Sequence, residues 1–207
     1  EHLGLADNTL VIYSSDHGEM AGERGTWQKT VFFEASARVP LVMRWPQGIT
    51  PGRRTDALVG LIDLYPTFCD VAGAAIPDSC RGRSVQPLFA GAPFARDEIF
   101  SESVVLGEPE HAGCMLRTGN WKYCRYLDGA EELYALDSDP DETVNLAADE
   151  SVADLCEEFR QRVDAFWEPD RQRARYDAHP RATEHKHTYP FSNQFVLADG
   201  TIVDARP

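Results

Sequence analysis

The segment SSDHGEMAGERGTWQK, residues 14–29, concentrates residue types that bind metals and anions. Asp16 and His17 are adjacent, and a carboxylate with an imidazole is half of a divalent-metal site, whose other ligands must come from elsewhere. Lys29 adds a compact cation that can pair with the oxygens of a bound oxyanion. The pattern predicts a loop that binds a metal and an anion; an aspartate cap beside a surface histidine is the alternative. Three glycines let the backbone bend closely around such a centre: Gly18, Gly22 and Gly25.

Two apolar runs of strand length flank this loop. The first, TLVIYS (residues 9–14), is β-branched and bounded by polar turn residues, as expected of a strand buried on both faces. The second is RVPLVMRW (residues 38–45), which PQGITPG terminates. The loop leaves the carboxyl end of the first strand, where open α/β sheets place their ligands. We therefore expect an α/β sheet to position Asp16 and His17.

The middle of the chain predicts a helix and then a second kind of sheet. Residues 63–72 have the pattern of a helix that stops at Gly73, and RGRSVQPLFAG predicts a short helical turn. From about Asp97 the sequence consists of short strand-like runs, two of which are joined by TGN, a hairpin signal. These runs predict a small antiparallel sheet.

The last third predicts one amphipathic helix and a tail. Ser151 and Asp154 resemble a capping box at the start of the helix. After Trp167 the sequence is polar and predicts an extended tail, with one hairpin at residues 195–205. The apolar residues at helical spacing, which we expect to lie on the antiparallel sheet, are Val152, Leu155, Cys156, Phe159, Val163 and Phe166.

Composition excludes some classes of function. The 207 residues are 43% hydrophobic and carry a net charge of −14, which disfavours an extended nucleic-acid interface. No apolar run approaches the ~18 residues of a membrane-spanning helix. The five cysteines are odd in number and form no CxxC pair, so we expect free thiols and a reducing compartment, which favours the cytoplasm over the periplasm.

Several motifs together resemble the sulfatases of the alkaline-phosphatase superfamily, near its choline-sulfatase and phosphonate-monoester-hydrolase branches. The loop contains Ser15-Asp16-His17-Gly18, then Lys29, then Arg38-Val39-Pro40, in the order and at the spacing of that family. The later segments MLRTGNWKYCRY and EELYALDSDPDETVNLA are similar to its C-terminal subdomain. The resemblance covers roughly residues 3–167, and several motifs in the family's order make chance similarity improbable.

The resemblance implies a fold and a division of the chain. We expect an α/β chain: the C-terminal part of an alkaline-phosphatase-like α/β/α sheet in residues 1–95, then a small α+β subdomain of antiparallel sheet and one helix in residues 96–167. Residues 168–207 would be an extended polar tail. After eight residues the chain enters a strand that already carries the loop of residues 14–29, called the functional loop below. A complete α/β domain usually has several strand and helix units before such a loop, so we expect the chain to be the later part of a longer protein.

The resemblance also implies roles for individual residues. Asp16 and His17 would ligate a divalent cation, usually calcium in sulfatases and often manganese or zinc in the phosphonate-hydrolase relatives. Lys29 would be catalytic and substrate-binding, because it would hold the sulfuryl or phosphoryl oxygens as the ester breaks. For Arg38 we favour a structural role, paired with Glu34 or a nearby carboxylate, over binding of the anion.

The family's nucleophile, a formylglycine made from the pattern C/S-x-P/A-x-R, has no match in this chain. We therefore expect a sulfatase fragment that is inactive alone and belongs to an active parent, with a small sulfate or phosphonate ester as substrate. A phosphonate monoester or phosphodiester hydrolase, or a truncated non-catalytic paralogue, is the alternative. We expect no nucleic-acid or membrane partner. An exposed edge of the first strand would favour a homo-oligomer.

Overall fold

The structure is a computed structural model and describes residues 2–104, 111–178, 194–196 and 202–204. In chain order its strands and helices are β1 (Val11–Ser14), α1 (Glu34–Ala37), β2 (Leu41–Arg44), α2 (Leu64–Ala72), α3 (Gln86–Phe89), β3 (Glu98–Ser103), β4 (Gly113–Thr118), β5 (Trp121–Tyr126), β6 (Glu131–Ala135), α4 (Ala153–Trp167), α5 (Pro169–Asp177), β7 (Gln194–Val196) and β8 (Ile202–Asp204).

The strands on either side of the functional loop pair with each other. β1 and β2 are antiparallel, with Val11 opposite Arg44 and Ser14 opposite Leu41. The prediction that the first strand is buried on both faces is wrong for the described residues, because Val11 and Tyr13 are 51% and 67% exposed. Among the described strands β1 has β2 as its single neighbour, so its side chains remain open to solvent.

The predicted helix before Gly73 is confirmed as α2, preceded by a 3-10 turn at Leu61–Asp63. Gly73 ends the helix with φ 66°, a left-handed conformation that glycine adopts without steric cost. The predicted short helical turn is α3. Asp63 is fully buried and accepts hydrogen bonds from the Gly60 and Arg83 amides at 2.9 and 2.8 Å and from the Arg96 guanidinium at 2.6 Å. This carboxylate therefore fixes the segments on both sides of α2.

The predicted antiparallel sheet is confirmed as four strands in the order β3-β4-β5-β6. The TGN hairpin joins β4 to β5, and Gly119 turns the chain there with φ 50°. All three pairs of neighbouring strands are antiparallel and consecutive in sequence. The pairing therefore needs no crossover connection, consistent with short strand-like runs that follow one another closely.

Helix α4 packs on one face of this sheet, as predicted. The shared core consists of Cys114, Leu116, Tyr123, Leu133, Cys156, Phe159, Val163 and Trp167, while Phe166 stacks on Phe100 at 4.1 Å between ring centroids. The predicted capping box is wrong in position. The Asp149 carboxylate accepts a hydrogen bond from the Ser151 amide at 2.8 Å and begins the turn that leads into the helix.

The opposite face of the sheet is also covered. Phe32, which belongs to the segment after the functional loop, packs there with Met115, Cys124 and Tyr126. β4 and β5 are therefore largely buried from both sides, whereas β1 and β2 are not. The segment that follows the functional loop therefore shares a core with the four-stranded sheet.

The chain after Trp167 differs from the predicted extended tail. Residues 169–177 form α5, which Pro169 begins at a position where proline is tolerated. Polar composition concealed this helix, which is supported by the ion pairs Arg171–Glu168 at 2.5 Å and Arg173–Asp177 at 3.1 Å.

The hairpin predicted within residues 195–205 is confirmed as the antiparallel pair β7 and β8. The rest of the predicted tail, residues 179–193, 197–201 and 205–207, lies outside the described residues, and the proposed domain boundaries stay predictions. In the described ranges, no helix combines the length and the apolar character that crossing a bilayer requires.

Candidate functional site

The loop that carries Asp16 and His17 lies on α1. The Gly18 amide donates a hydrogen bond to the Ser36 carbonyl at 2.7 Å, and the Glu19 amide donates to the Ala35 carbonyl at 2.9 Å. A Cβ on residue 18 would lie 2.9 Å from the Ala35 carbonyl carbon and nearer still to its oxygen. Glycine is therefore required at position 18 for the loop to approach α1 this closely.

Asp16 and His17 place two lone-pair donors side by side. His17 Nδ1 lies 2.7 Å from the Gly18 carbonyl oxygen, so in the neutral ring Nδ1 carries the proton and Nε2 the lone pair. Nε2 lies 3.5 Å from Asp16 Oδ2. Neighbouring ligands of a tetrahedral zinc ion, each about 2.1 Å from the metal, are about 3.4 Å apart, so these atoms fit two adjacent positions around a cation that accepts imidazole nitrogen. With the ring protonated, the same contact is an ion pair.

The Asp16 carboxylate is exposed, and its environment favours the charged form. Loss of solvation raises its pKa, but the nearby His17 charge, the His17 amide at 3.0 Å and the Ser15 hydroxyl at 3.4 Å outweigh it. The net result is a pKa below the usual aspartate value. Asp16 is therefore an anion at neutral pH, as a cation ligand must be.

Lys29 is joined to the same platform through its backbone. The buried Ser36 hydroxyl donates to the Lys29 carbonyl at 2.7 Å, and the Met20 amide donates to the Gln28 carbonyl at 2.9 Å. The Met20 side chain is fully buried and anchors the loop. The Lys29 side chain is exposed, and no described residue forms an ion pair with its ammonium group, which leaves it accessible to an anion.

The structure brings two of the three predicted site residues into direct contact and links the third through the backbone. Asp16 and His17 are in contact through their side chains, whereas Lys29 is tied to them through Ser36 and the backbone. Within the described residues, no group of three or more His, Cys, Asp or Glu side chains could hold a metal ion. Because calcium takes about six to eight oxygen ligands and zinc about four ligands, Asp16 and His17 can supply only part of a coordination sphere.

Arg38 makes the contact that was predicted for it. Its guanidinium lies 3.8 Å from Glu34 Oε2, one turn back along the chain, and its side chain is 75% exposed. This is a surface pair, and such pairs contribute little to stability.

A buried charge cluster below the loop was not predicted. Lys122, in β5, is fully buried, and its ammonium donates to the Phe32 carbonyl at 2.9 Å. The same nitrogen forms ion pairs with Glu34 Oε1 at 2.6 Å and with Glu142 Oε1 at 2.7 Å. The other Glu142 oxygen accepts a hydrogen bond from the Glu34 amide at 2.6 Å. One cation therefore sits between two carboxylates where α1 begins.

A second contact joins the loop to the turn that carries Glu142. The Arg24 guanidinium donates to the Asp141 and Glu142 carbonyls and lies over the Phe33 ring, 4.2 Å from its centroid. Glu142 itself has φ 55°, a conformation that costs energy for any residue except glycine. Only the motif DPDE, which contains Glu142, marked this turn in the sequence.

Comparison with known proteins identifies the family of this chain. The sequence model of the family "N-sulphoglucosamine sulphohydrolase, C-terminal" matches residues 22–168. Human arylsulfatase K is 41% identical over 155 residues, which make up 70% of this chain and 29% of that protein. The chain thus spans less than a third of this relative.

Two solved structures share the fold over most of the chain. BT4656, solved in complex with its substrate D-glucosamine-2-N,6-O-disulfate, superposes with a TM-score of 0.75 at 26% identity, covering 86% of this chain and 38% of its own. The phosphonate monoester hydrolase of Agrobacterium radiobacter has a TM-score of 0.70 at 26% identity, covering 100% of this chain and 41% of its own.

The α/β fold class predicted from the sequence is therefore confirmed. Since the family model matches well over half of the 207 residues, the chain belongs to the N-sulphoglucosamine sulphohydrolase C-terminal family, within the sulfatases of the alkaline-phosphatase superfamily.

Proposed function

We propose that this chain supplies the metal- and anion-binding loop of a sulfate ester hydrolase. The observation that carries the proposal is the contact of Asp16 Oδ2 with His17 Nε2 at 3.5 Å, on a loop that Ser36 also joins to Lys29. Family membership supports hydrolytic chemistry, and the accessible ammonium of Lys29 supports an anionic substrate.

In the proposed reaction, water is added across a sulfate ester, which releases an alcohol and sulfate. Asp16 and His17 would hold part of the coordination sphere of a divalent cation, for which calcium is our first choice and manganese or zinc the alternatives. Such a cation supplies positive charge beside the sulfuryl oxygens. Lys29 would bind those oxygens and offset the negative charge that develops as the bond between sulfur and the leaving oxygen breaks.

The nucleophile is not assigned to this chain. None of its cysteines or serines fits the family pattern C/S-x-P/A-x-R, so the proposal assigns a formylglycine to a longer polypeptide that includes these residues. We expect the 207 residues alone to hydrolyse sulfate esters no faster than the uncatalysed reaction. Hydrolysis by the purified chain at enzyme-like rates would contradict the assignment of the nucleophile to residues outside this chain.

Phosphonate monoester hydrolysis is the second candidate. It is favoured by the similarity of the whole chain to the Agrobacterium phosphonate monoester hydrolase. Assay of the full-length protein with an aryl sulfate and an aryl phosphonate monoester separates the two activities. A large preference for the phosphonate ester would reject sulfate as the substrate class, and hydrolysis of D-glucosamine-2-N,6-O-disulfate would extend the similarity with BT4656 to its substrate.

Titration of the chain with Mn²⁺ and Ca²⁺ tests the metal assignment directly. We expect weak binding by the wild type, with a dissociation constant on the order of 10⁻⁴–10⁻³ M, because two protein ligands provide few contacts. Asp16→Asn and His17→Gln should each abolish it, whereas the exposed control Asp78→Asn should not change it. Equal binding by all variants would contradict the assignment of Asp16 and His17.

A further inference from the structure

The buried cluster of Lys122, Glu34 and Glu142 lies where the four-stranded sheet meets the functional loop. Lys122 comes from β5, Glu142 from the turn after β6, and Glu34 from the start of α1. Lys122 is 1% exposed and Glu142 3%, so both charges are removed from water and compensated mainly by each other and by Glu34. A buried charge set of this kind strongly prefers one geometry, because displacing any member leaves another charge uncompensated.

A short series of hydrogen bonds links this cluster to the metal-binding pair. Lys122 holds the Phe32 carbonyl and Glu142 holds the Glu34 amide, which together fix the first residues of α1. The next carbonyls of α1, those of Ala35 and Ser36, accept the amides of residues 19 and 18. His17 then orients its ring against the Gly18 carbonyl.

The anion-binding lysine is held by the same platform. The hydroxyl of Ser36 donates to the Lys29 carbonyl, so displacement of α1 would move this residue together with the metal-binding pair. Arg24 provides a second link, since its side chain donates directly to the carbonyls of Asp141 and Glu142. The loop is therefore linked to the sheet and to the 137–142 turn at two places, through α1 and through Arg24.

We propose that Lys122 is a positioning residue, which acts through α1 to hold Asp16, His17 and Lys29 in the arrangement that binds metal and anion. The four-stranded sheet then has a role in the chemistry of the site, although none of its residues touches the metal-binding pair in the described contacts. The expected effect on metal binding rests on the proposed function, whereas the placement of the loop can be tested without any metal.

Amide hydrogen exchange of Lys122→Met provides that test. We expect the Gly18 and Glu19 amides, which donate to α1, to exchange about tenfold faster or more, while amides of α4 at Phe159 and Val163 keep their protection. A purely structural loss of stability would accelerate both sets together. The Mn²⁺ dissociation constant should rise about tenfold in the same variant.

Arg125→Met is the matched control. Arg125 lies in the same strand and pairs with Asp164 at 2.7 Å, on the side of α4, so its removal should leave the Gly18 and Glu19 amides unchanged. The double variant Lys122→Met/Glu142→Gln, which removes the cation together with the buried carboxylate and leaves the partly exposed Glu34, decides the case if Lys122→Met does not fold; it should also accelerate exchange in the loop.

Loop exchange that equals that of Arg125→Met, in Lys122→Met or, if that variant does not fold, in Lys122→Met/Glu142→Gln, would overturn the positioning role of Lys122. Absence of Mn²⁺ binding in the wild type would instead reject the proposed metal site, and the exchange measurements would still decide whether Lys122 positions the loop.

Discussion

Replacing Gly18 with alanine removes the close approach between the functional loop and α1. The added Cβ would lie 2.9 Å from the Ala35 carbonyl carbon and closer to its oxygen, which real Cβ atoms avoid. Moving the loop away relieves this clash but breaks the hydrogen bonds from the Gly18 and Glu19 amides to Ser36 and Ala35. At about 0.5–1.5 kcal/mol for each bond, we expect the free energy of unfolding to fall by about 1–3 kcal/mol.

Urea denaturation measures this loss, and amide exchange at Glu19 and Met20 reports whether it is confined to the loop. Gly52→Ala is a matched control, because Gly52 has φ 73° with no atom within 4 Å of the added Cβ. Its expected cost is about 1–2 kcal/mol from backbone strain alone, without faster exchange in the loop. If Gly18→Ala retained wild-type stability and loop protection, the argument that α1 positions Asp16 and His17 would be refuted.

Three further predictions concern the framework. Arg96→Met should lower the free energy of unfolding by about 3–5 kcal/mol, because it leaves the fully buried Asp63 carboxylate without its cation; a loss below 1 kcal/mol in chemical denaturation would contradict this. Val163→Ala should cost about 1–3 kcal/mol in the same assay by opening a cavity between α4 and the sheet, and an unchanged midpoint would argue against that packing. The pKa of Glu131 is lowered by its hydrogen bonds from Arg160, so its stabilisation is present above the unfolded pKa of about 4.3 and is lost as pH falls through the folded value. Stability measured from pH 6 to pH 2 should therefore decline less steeply in Glu131→Gln, and parallel curves would exclude the contribution.

Elements with local signals could be predicted from the sequence. The stop of α2 at Gly73, the hairpin at Gly119 and the apolar spacing of α4 each depend on a few consecutive residues, and the structure has all three. The loop likewise showed its glycines and its adjacent Asp16 and His17. The contact between Asp16 and His17 Nε2 also has a local cause, because the hydrogen bond from His17 Nδ1 to the Gly18 carbonyl orients the ring.

What could not be predicted depends on contacts between distant residues. Lys122 stands in a run of strand type, where a lysine usually faces solvent, and nothing nearby indicates that Glu34 and Glu142 enclose it. The exposure of β1 was missed because strand burial depends on neighbouring strands rather than on composition. α5 was missed because its sequence is polar and lacks the apolar periodicity that marks a packed helix, and exposed ion pairs give it only modest local support.

The contacts that hold the functional loop have a consequence for the order of events during synthesis. Phe32 and Glu34 leave the ribosome long before their partners, since Lys122 follows Phe32 by 90 residues and Glu142 follows Glu34 by 108. Until β5 and the 137–142 turn have emerged, the loop has no cation below it and no cover for Phe32. The residues proposed to bind the metal are therefore synthesised well before the residues that hold their loop in place, and a chain terminated before residue 142 would keep Asp16, His17 and Lys29 but lack Glu142.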